Sequence, residues 1–353
     1  MNEPGPAGPL RPFTVLIGVV LSLVGAGAAA AETSASAAEH RGIFSFRSEN
    51  DFWAGNDSNY TNGIAASWTT PKIEDCGGAR PGFWCKLVNG FDWLPRIGQE
   101  GWDDYAAFEL GQEMYTPDDI TLPDPPPGDQ PYAGVLYWDT SVFARSSRAL
   151  HAYTWRLGVV GPASGAEGTQ RFIHRLIGAR IPQGWDTQLR NELLINFDYQ
   201  FHRRMLRSVH EAGFGYDVAL NGGAGAGNYF IGANGGVQLR FGHALPDTFG
   251  TFDLRTGGEA LVGMGPSPTR IHAYAHVQIQ LFGIGRFLPA DGNTFKESRE
   301  GDRDDFYSVV SVGGVVGWKR LFFSYMYNLV VGDSFVLTKR DDDYGAIALH
   351  YMF

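Results

Sequence analysis

Hydrophobic and polar residues alternate with period two along much of the chain. Around 189–202, Leu193, Ile195, Phe197, Tyr199 and Phe201 fall on one face, and Glu192, Asn196, Asp198, Gln200 and His202 on the other. Successive side chains of an extended strand point to opposite faces, so this is a strand with one apolar and one polar side. Tyr153, Trp155, Leu157 and Val159 oppose Thr154, Arg156 and Gly158 in the same way. Leu321, Phe323, Tyr325, Tyr327 and Leu329 oppose Ser324, Met326 and Asn328, and Ile64, Ala66 and Trp68 oppose Gly63, Ser67 and Thr69. Several runs reach the roughly 9–11 tilted residues that cross a bilayer, which favours a membrane wall over a soluble sheet.

The pattern predicts twelve strands, near 42–51, 59–70, 103–116, 131–145, 150–161, 187–204, 207–221, 227–242, 269–284, 304–318, 319–331 and 343–353. An even number returns both ends to one side, and closure removes strand edges that lipid cannot hydrogen-bond. The expected fold is therefore all-β: a closed antiparallel 12-stranded transmembrane β-barrel with a short helix in one extracellular loop. The chain closes on Ile347-Ala348-Leu349-His350-Tyr351-Met352-Phe353, a strand with an aromatic end that resembles the outer-membrane barrel assembly signal. With the first strand rising from the periplasm, loops 52–58, 117–130, 162–186, 222–226, 285–303 and 332–342 lie outside. Connections 71–102, 146–149, 205–206 and 243–268 lie inside, the last of them irregular in pattern.

Composition narrows the class. The 353 residues include 47 Gly, 24 Phe, 15 Tyr and 9 Trp, with only 19% charged. Mean hydropathy is -0.17. Collagen, disorder and a bundle of membrane helices are excluded, and a net charge of -10 argues against nucleic acid. Residues 1–31 read as a secretory signal: Arg11, the apolar run Phe13–Val24, then Ala29-Ala30-Ala31 before Glu32. The mature unit expected is 32–353, located in the outer membrane as a multi-pass monomer. Cys76 and Cys85 are expected to pair, since export permits disulfides and turn-forming residues lie between them.

Candidate chemistry gathers at the outer rim. Glu49-Asn50-Asp51 ends the first strand, and Tyr60-Thr61-Asn62-Gly63 begins the second. Within 162–186, Ser164 and Glu167 suggest a capping box, Gln170 and His174 fall on one helical face, and Gly178 ends the helix. A histidine can take a proton from water near neutral pH, which suits ester hydrolysis. Asp51 suits a hard cation, with Asn50 or Thr61 supplying further oxygens, and such a cation stabilises an oxyanion. No Gly-x-Ser-x-Gly elbow is present, against a hydrolase-fold serine. Parity puts Asn50 with Phe44 and Phe46 on the lipid side and Asp51 toward the lumen. The bland alternative is that these Asn, Asp and Tyr residues are ordinary turn formers.

These residues resemble the lipid A 3'-O-deacylase family of Gram-negative outer membranes. The pieces are Glu49-Asn50-Asp51, Tyr60-Thr61-Asn62-Gly63, Gln112-Glu113-Met114-Tyr115-Thr116-Pro117 and Asp129-Gln130-Pro131-Tyr132-Ala133-Gly134. Gly161-Pro162, Gln170 to Gly178, Gly184-Trp185, Asn191-Glu192 and Asp291-Gly292-Asn293-Thr294-Phe295 follow in order. The resemblance implies a twelve-stranded barrel that removes the 3'-linked acyloxyacyl group of lipid A in lipopolysaccharide, among the other outer-membrane lipids. It implies calcium at Asn50 and Asp51, supported by Thr61, with His174 as general base beside Gln170. The chain departs in having no lysine in 117–130, and Arg180 where a carboxylate is expected six positions after the histidine. Asp186 and Glu192 are the candidate substitutes for that carboxylate, and Arg171, Arg175, Arg180 and Arg190 are candidate phosphate contacts. A phospholipid acyl hydrolase and a non-enzymatic structural barrel with a degenerate site are the alternatives.

Overall fold

The computed structural model describes residues 42–50, 60–74, 76, 82–210, 213–249, 261–265, 271–331 and 343–353. The expected signal segment 1–31 and Asp51 lie outside the described residues, as does the side chain of Thr61.

Twelve strands pair antiparallel, each with its sequence neighbour: β1 (Ile43–Asn50), β2 (Tyr60–Thr69), β3 (Asp103–Tyr115), β4 (Ala133–Arg145), β5 (Ala149–Val160), β6 (Glu192–Val209), β7 (Phe214–Gly227), β8 (Phe230–His243), β9 (Ile271–Phe287), β10 (Phe306–Trp318), β11 (Leu321–Val331) and β12 (Tyr344–Met352). Pairing of β1 with β12 closes the barrel, with Ile43 opposite Met352 at one end and Asn50 opposite Gly345 at the other. Both ends of the barrel wall in sequence thus lie at one mouth, the periplasmic one for a barrel of this class.

The alternation sorts residues as the sequence predicts. Ser45, Arg47 and Glu49 are buried in the lumen, while Phe44 and Phe46 are exposed outside. An apolar belt that includes Leu110, Trp138, Leu157, Leu193, Ile195, Ile279 and Phe323 faces outward. Between β5 and β8 the strands lie further along the chain than the pattern suggested, β6 at 192–209 rather than 187–204 and β7 at 214–227 rather than 207–221, so the expected connection at 205–206 falls inside β6. Strand β6 runs through Arg203-Arg204-Met205-Leu206-Arg207 because a register shift between Arg204 and Leu206 absorbs the broken alternation. The expected loop at 222–226 lies inside β7. Its glycines are there for room: a Cβ on Gly223 or Gly225 would stand 2.3 Å from the Gln200 or Asp198 side chain of β6.

Side chains fill the lumen. In its outer half, Arg156 bonds Asp139 through two nitrogens at 3.0 and 2.9 Å and Glu113 at 3.1 Å, with its guanidinium 3.7 Å from the Tyr137 ring centroid. Tyr115 donates to Glu113 at 2.8 Å, Tyr229 donates to the same carboxylate, and Arg47 pairs with Glu109. In the inner half the described parts of the connection after β8, 244–249 and 261–265, which the sequence predicts only to be irregular, fold inward. Its Leu245, Leu261 and Met264 pack on Ile43, Tyr274, Val315, Phe322 and Met352, and Phe249 and Val262 pack on Phe143 and Leu150. Asp247 of this plug pairs with Arg145 and Arg204 at 2.6 Å each. Burial raises its carboxyl pKa, but Arg145, Arg204 and Arg207 more than offset that and hold it below the usual value.

The connection between β2 and β3 holds a short helix, α1 (Phe83–Asn89), and the Cys76–Cys85 disulfide expected from the sequence, with 5.0 Å between Cα atoms.

Candidate functional site on the outer face of the wall

At the outer lip, five strands contribute one row of outward-facing residues. Asn50 of β1 pairs with Gly345 of β12. Asn50 and Asn62 stand beside the Glu49–Gly63 pair of β1 and β2, one step further out. Asn62 pairs with Met114 of β3, and Met114 with Gly134 of β4. Adjacent strands lie about 4.8 Å apart, so Asn50 stands roughly 10 Å from the strand that carries Met114. Between Tyr60, opposite Tyr115, and Asn62, opposite Met114, Thr61 is an extra residue. A bulge of this kind re-aims a side chain and is a frequent device beside functional sites.

The loop after β5 folds over this row from outside. It is tied down at both ends: Gly161 N–H donates to Gly134 O and Leu189 N–H to Tyr132 O, each at 2.9 Å. Its helix α2 (Ala166–Ile177) starts on Met114, with Tyr132, Ala166 and Trp185 completing a buried cluster. The docking is close because position 134 is glycine, where a Cβ would lie 2.3 Å from Ala166 Cβ and Ser164 Oγ. Gln112, also outward-facing, donates from Nε2 to Ser164 O at 2.7 Å. Tyr132 donates to Ile120 O at 3.1 Å, and burial pushes its hydroxyl pKa up to about 12.

The expected capping box does not form. Gly165 in the left-handed region is the N-cap, and Ser164 sits in the preceding 3-10 turn, donating to Gly161 O at 2.7 Å. Glu167 instead pairs with Arg171 one turn on, at 3.0 Å. Gly178 ends the helix as expected.

Gln170 and His174 share a helical face but have different surroundings. Gln170 is buried; its Oε1 accepts from Trp185 Nε1 at 2.7 Å, and its Nε2 has no partner among the described residues. His174 is half-buried, and its Nδ1 lies 2.5 Å from the backbone oxygen of Arg180. A carbonyl only accepts, so Nδ1 carries the proton and the Nε2 lone pair of the neutral ring is left available. The residue six positions after the histidine thus orients it through its main chain, where a carboxylate side chain was expected.

Neither candidate substitute carboxylate approaches His174 in the hydrogen bonds found. Glu192 accepts from the backbone N–H groups of Thr294 and Phe295, at 3.1 and 3.0 Å, and from Asn293 and Asn228. It therefore holds the 293–295 loop. Asp186 lines an open cavity of about 460 Å³ with Arg190, Glu297 and Arg299. Arg171 is spoken for by Glu167, while Arg175 and Arg190 are exposed.

Among the described residues no three His, Cys, Asp or Glu side chains cluster as a metal site. The lip does offer amide oxygens. Asn62 Oδ1 is buried with no partner among the described residues, one of several such atoms around the wall, and an amide oxygen in that state can accept a hard cation. Asn50 flanks it, so the residues present fit such an ion. Asn62 and Trp185 belong to the sequence motifs, but the sequence alone gives neither a role. Only their placement, one on the lip and the other behind Gln170, gives them one.

A closed wall with an apolar outer belt and a lumen packed with ion pairs defines a transmembrane β-barrel. The chain belongs to the outer membrane protein LpxR family, whose profile matches residues 15–353, and it is an outer-membrane protein. No curated protein matches the chain. Among solved structures, LpxR from Salmonella typhimurium superposes with a TM-score of 0.68 at 17% identity, covering 88% of this chain and 100% of that one. The beta domain of the Bordetella autotransporter Brka gives 0.39 at 11% identity, over 88% of this chain and 97% of that one.

Proposed function

We propose that the protein is an outer-membrane carboxylic ester hydrolase that removes the 3'-linked acyloxyacyl group of lipid A. The observation that carries this reading is the position of α2: the helix bearing His174 lies against the lipid-facing side of the wall at its outer lip. A lipid in the outer leaflet can reach it sideways without leaving the membrane. His174, with its Nδ1 proton given to Arg180 O, takes a proton from water at Nε2 and passes it to the departing alkoxide. The unpartnered Nε2 of Gln170 supplies a donor for a carbonyl oxygen brought between helix and wall. Asn50, Asp51 and Asn62 would hold Ca2+, supported by Thr61, and the ion when bound supplies Lewis-acid stabilisation of negative charge on oxygen.

Expression in a host that lacks the activity, followed by mass spectrometry of its lipid A, tests the reading. Loss of the 3' acyloxyacyl mass is expected with the intact chain and not with His174→Ala. Retained lipid A together with acyl release from phosphatidylethanolamine would move the substrate to phospholipid, and inertness toward both would leave a structural barrel.

A further inference from the structure

The connection between β2 and β3 does not hang below the barrel. Val88, Leu94 and Ile97 pack against Val142, Ala144 and Tyr153. Phe91 stacks on Trp155 at 4.4 Å, and Tyr153 donates to Pro95 O at 2.8 Å. Val142 and Ala144 have the same parity as exposed Trp138, on the outward side of β4. The stretch 82–102 is thus folded up against wall that would otherwise meet lipid.

Its height on the wall is fixed by β4. Gly134, under α2, and Val142, under this segment, are eight residues apart on one strand. At about 3.3 Å per residue and a tilt of roughly 35–45°, that is about 20 Å of vertical rise, against an apolar band of about 25 Å. The two attachments are therefore separated by most of the height of such a band, one toward the outer mouth and the other toward the periplasmic one.

The face that 82–102 turns away from the wall carries two large exposed rings among polar residues. Phe83 and Trp93 are 66% and 69% exposed. Trp84 lies 5.7 Å from Phe108, and Phe108 lies 5.7 Å from Trp138, so an unbroken aromatic strip joins the segment to the lipid-facing belt. Lys86 and Arg96 are exposed beside it, together with Asp92 and Glu100. Amphipathic rings flanked by cations are what a headgroup layer takes up. We propose that the disulfide-closed segment 71–102 is seated in the phospholipid headgroup layer of the periplasmic leaflet, with Phe83 and Trp93 entering that layer. The barrel would then be held at fixed depth by a lateral foot as well as by its belt.

The test uses the full chain in phosphatidylcholine vesicles, some made with lipid brominated near the headgroup end of its acyl chains. The emission of Trp93 is taken as the difference between the intact chain and Trp93→Phe, with the heat-shifted gel mobility of each confirming a folded barrel. The proposal expects this component to be quenched several-fold more by the brominated lipid than by aqueous acrylamide. Phe83→Asp is expected to reduce the lipid quenching and raise the acrylamide quenching. Quenching by acrylamide alone would show Trp93 in the periplasm and overturn the proposal. Insensitivity to both quenchers would show it covered by protein, such as a second copy, and would overturn it equally.

Discussion

Two segments are clamped to the outside of the same arc of wall, and they are built on opposite rules. The inner one, 71–102, is held by aliphatic and aromatic packing and a disulfide. Among its described residues no buried side-chain polar atom lacks a partner. The outer one, with α2, buries Gln170 and leaves its Nε2 unsatisfied, next to a lip where Asn62 Oδ1 is also unsatisfied. Each such group costs about 1–3 kcal/mol relative to a bonded one. Only the first of these belongs to the segment itself, the second to the wall beside it. The inner attachment is thus made by packing and a disulfide, and the outer one places a buried amide donor beside the lip.

The sharpest way to break this comparison is His174→Ala. Acyl release should fall by roughly 10²–10⁴ or more, as for loss of a general base, with gel mobility of the barrel unchanged. Full activity in the variant would reduce the outer segment to a second adhesive. Gly134→Leu should come next. Its side chain would drive into Ala166 and Ser164, an overpacking cost of about 1–3 kcal/mol that α2 can relieve by lifting from the wall. Protease cleavage within 161–189 should accelerate and activity should fall, while 71–102 stays resistant. The reciprocal change, Cys76→Ser with Cys85→Ser, should cost about 2–3 kcal/mol locally in the chain-entropy model. It should open 71–102 to protease and leave lipid A deacylation as it was.

The smallest expected effect is on the plug. Because the Asp247 pKa is lowered in the folded protein, its contribution is present above the ordinary carboxylate value of about 3.9 and is lost as pH falls through the lower folded value. The plug should therefore loosen only in strong acid. Asp247→Asn should remove this acid sensitivity, as followed by hydrogen exchange of 244–249 against pH. An unchanged acid response in that variant would mean that other carboxylates control the plug.

Much of the wall was legible because the pleat has period two and only one side of it meets lipid. Strands such as 319–331 and the polarity of β1 needed nothing more. The misreadings share one cause: the local pattern changed for a reason located on another strand. The stretch 222–226 reads as a loop because glycine commonly marks turns, yet its Gly223 and Gly225 make room for Gln200 and Asp198 across the sheet. The 243–268 connection looked irregular because its apolar residues fill the lumen rather than follow a strand. Of the site, the helix, Gln170 and His174 were placed from spacing and resemblance. The Arg180 contact was not, because a main-chain oxygen leaves no signature in side-chain identity. Ser164 misled because a serine three residues before a glutamate also occurs in a tight turn.

The ion pairs around Arg156 and the folded-in connection near Asp247 have a consequence for traffic. With side chains cross-linked in its outer half and a plug in its inner half, the cylinder is a post rather than a pipe. Whatever reaches the lip beneath α2 therefore comes to it along the outside of the wall and not through the bore.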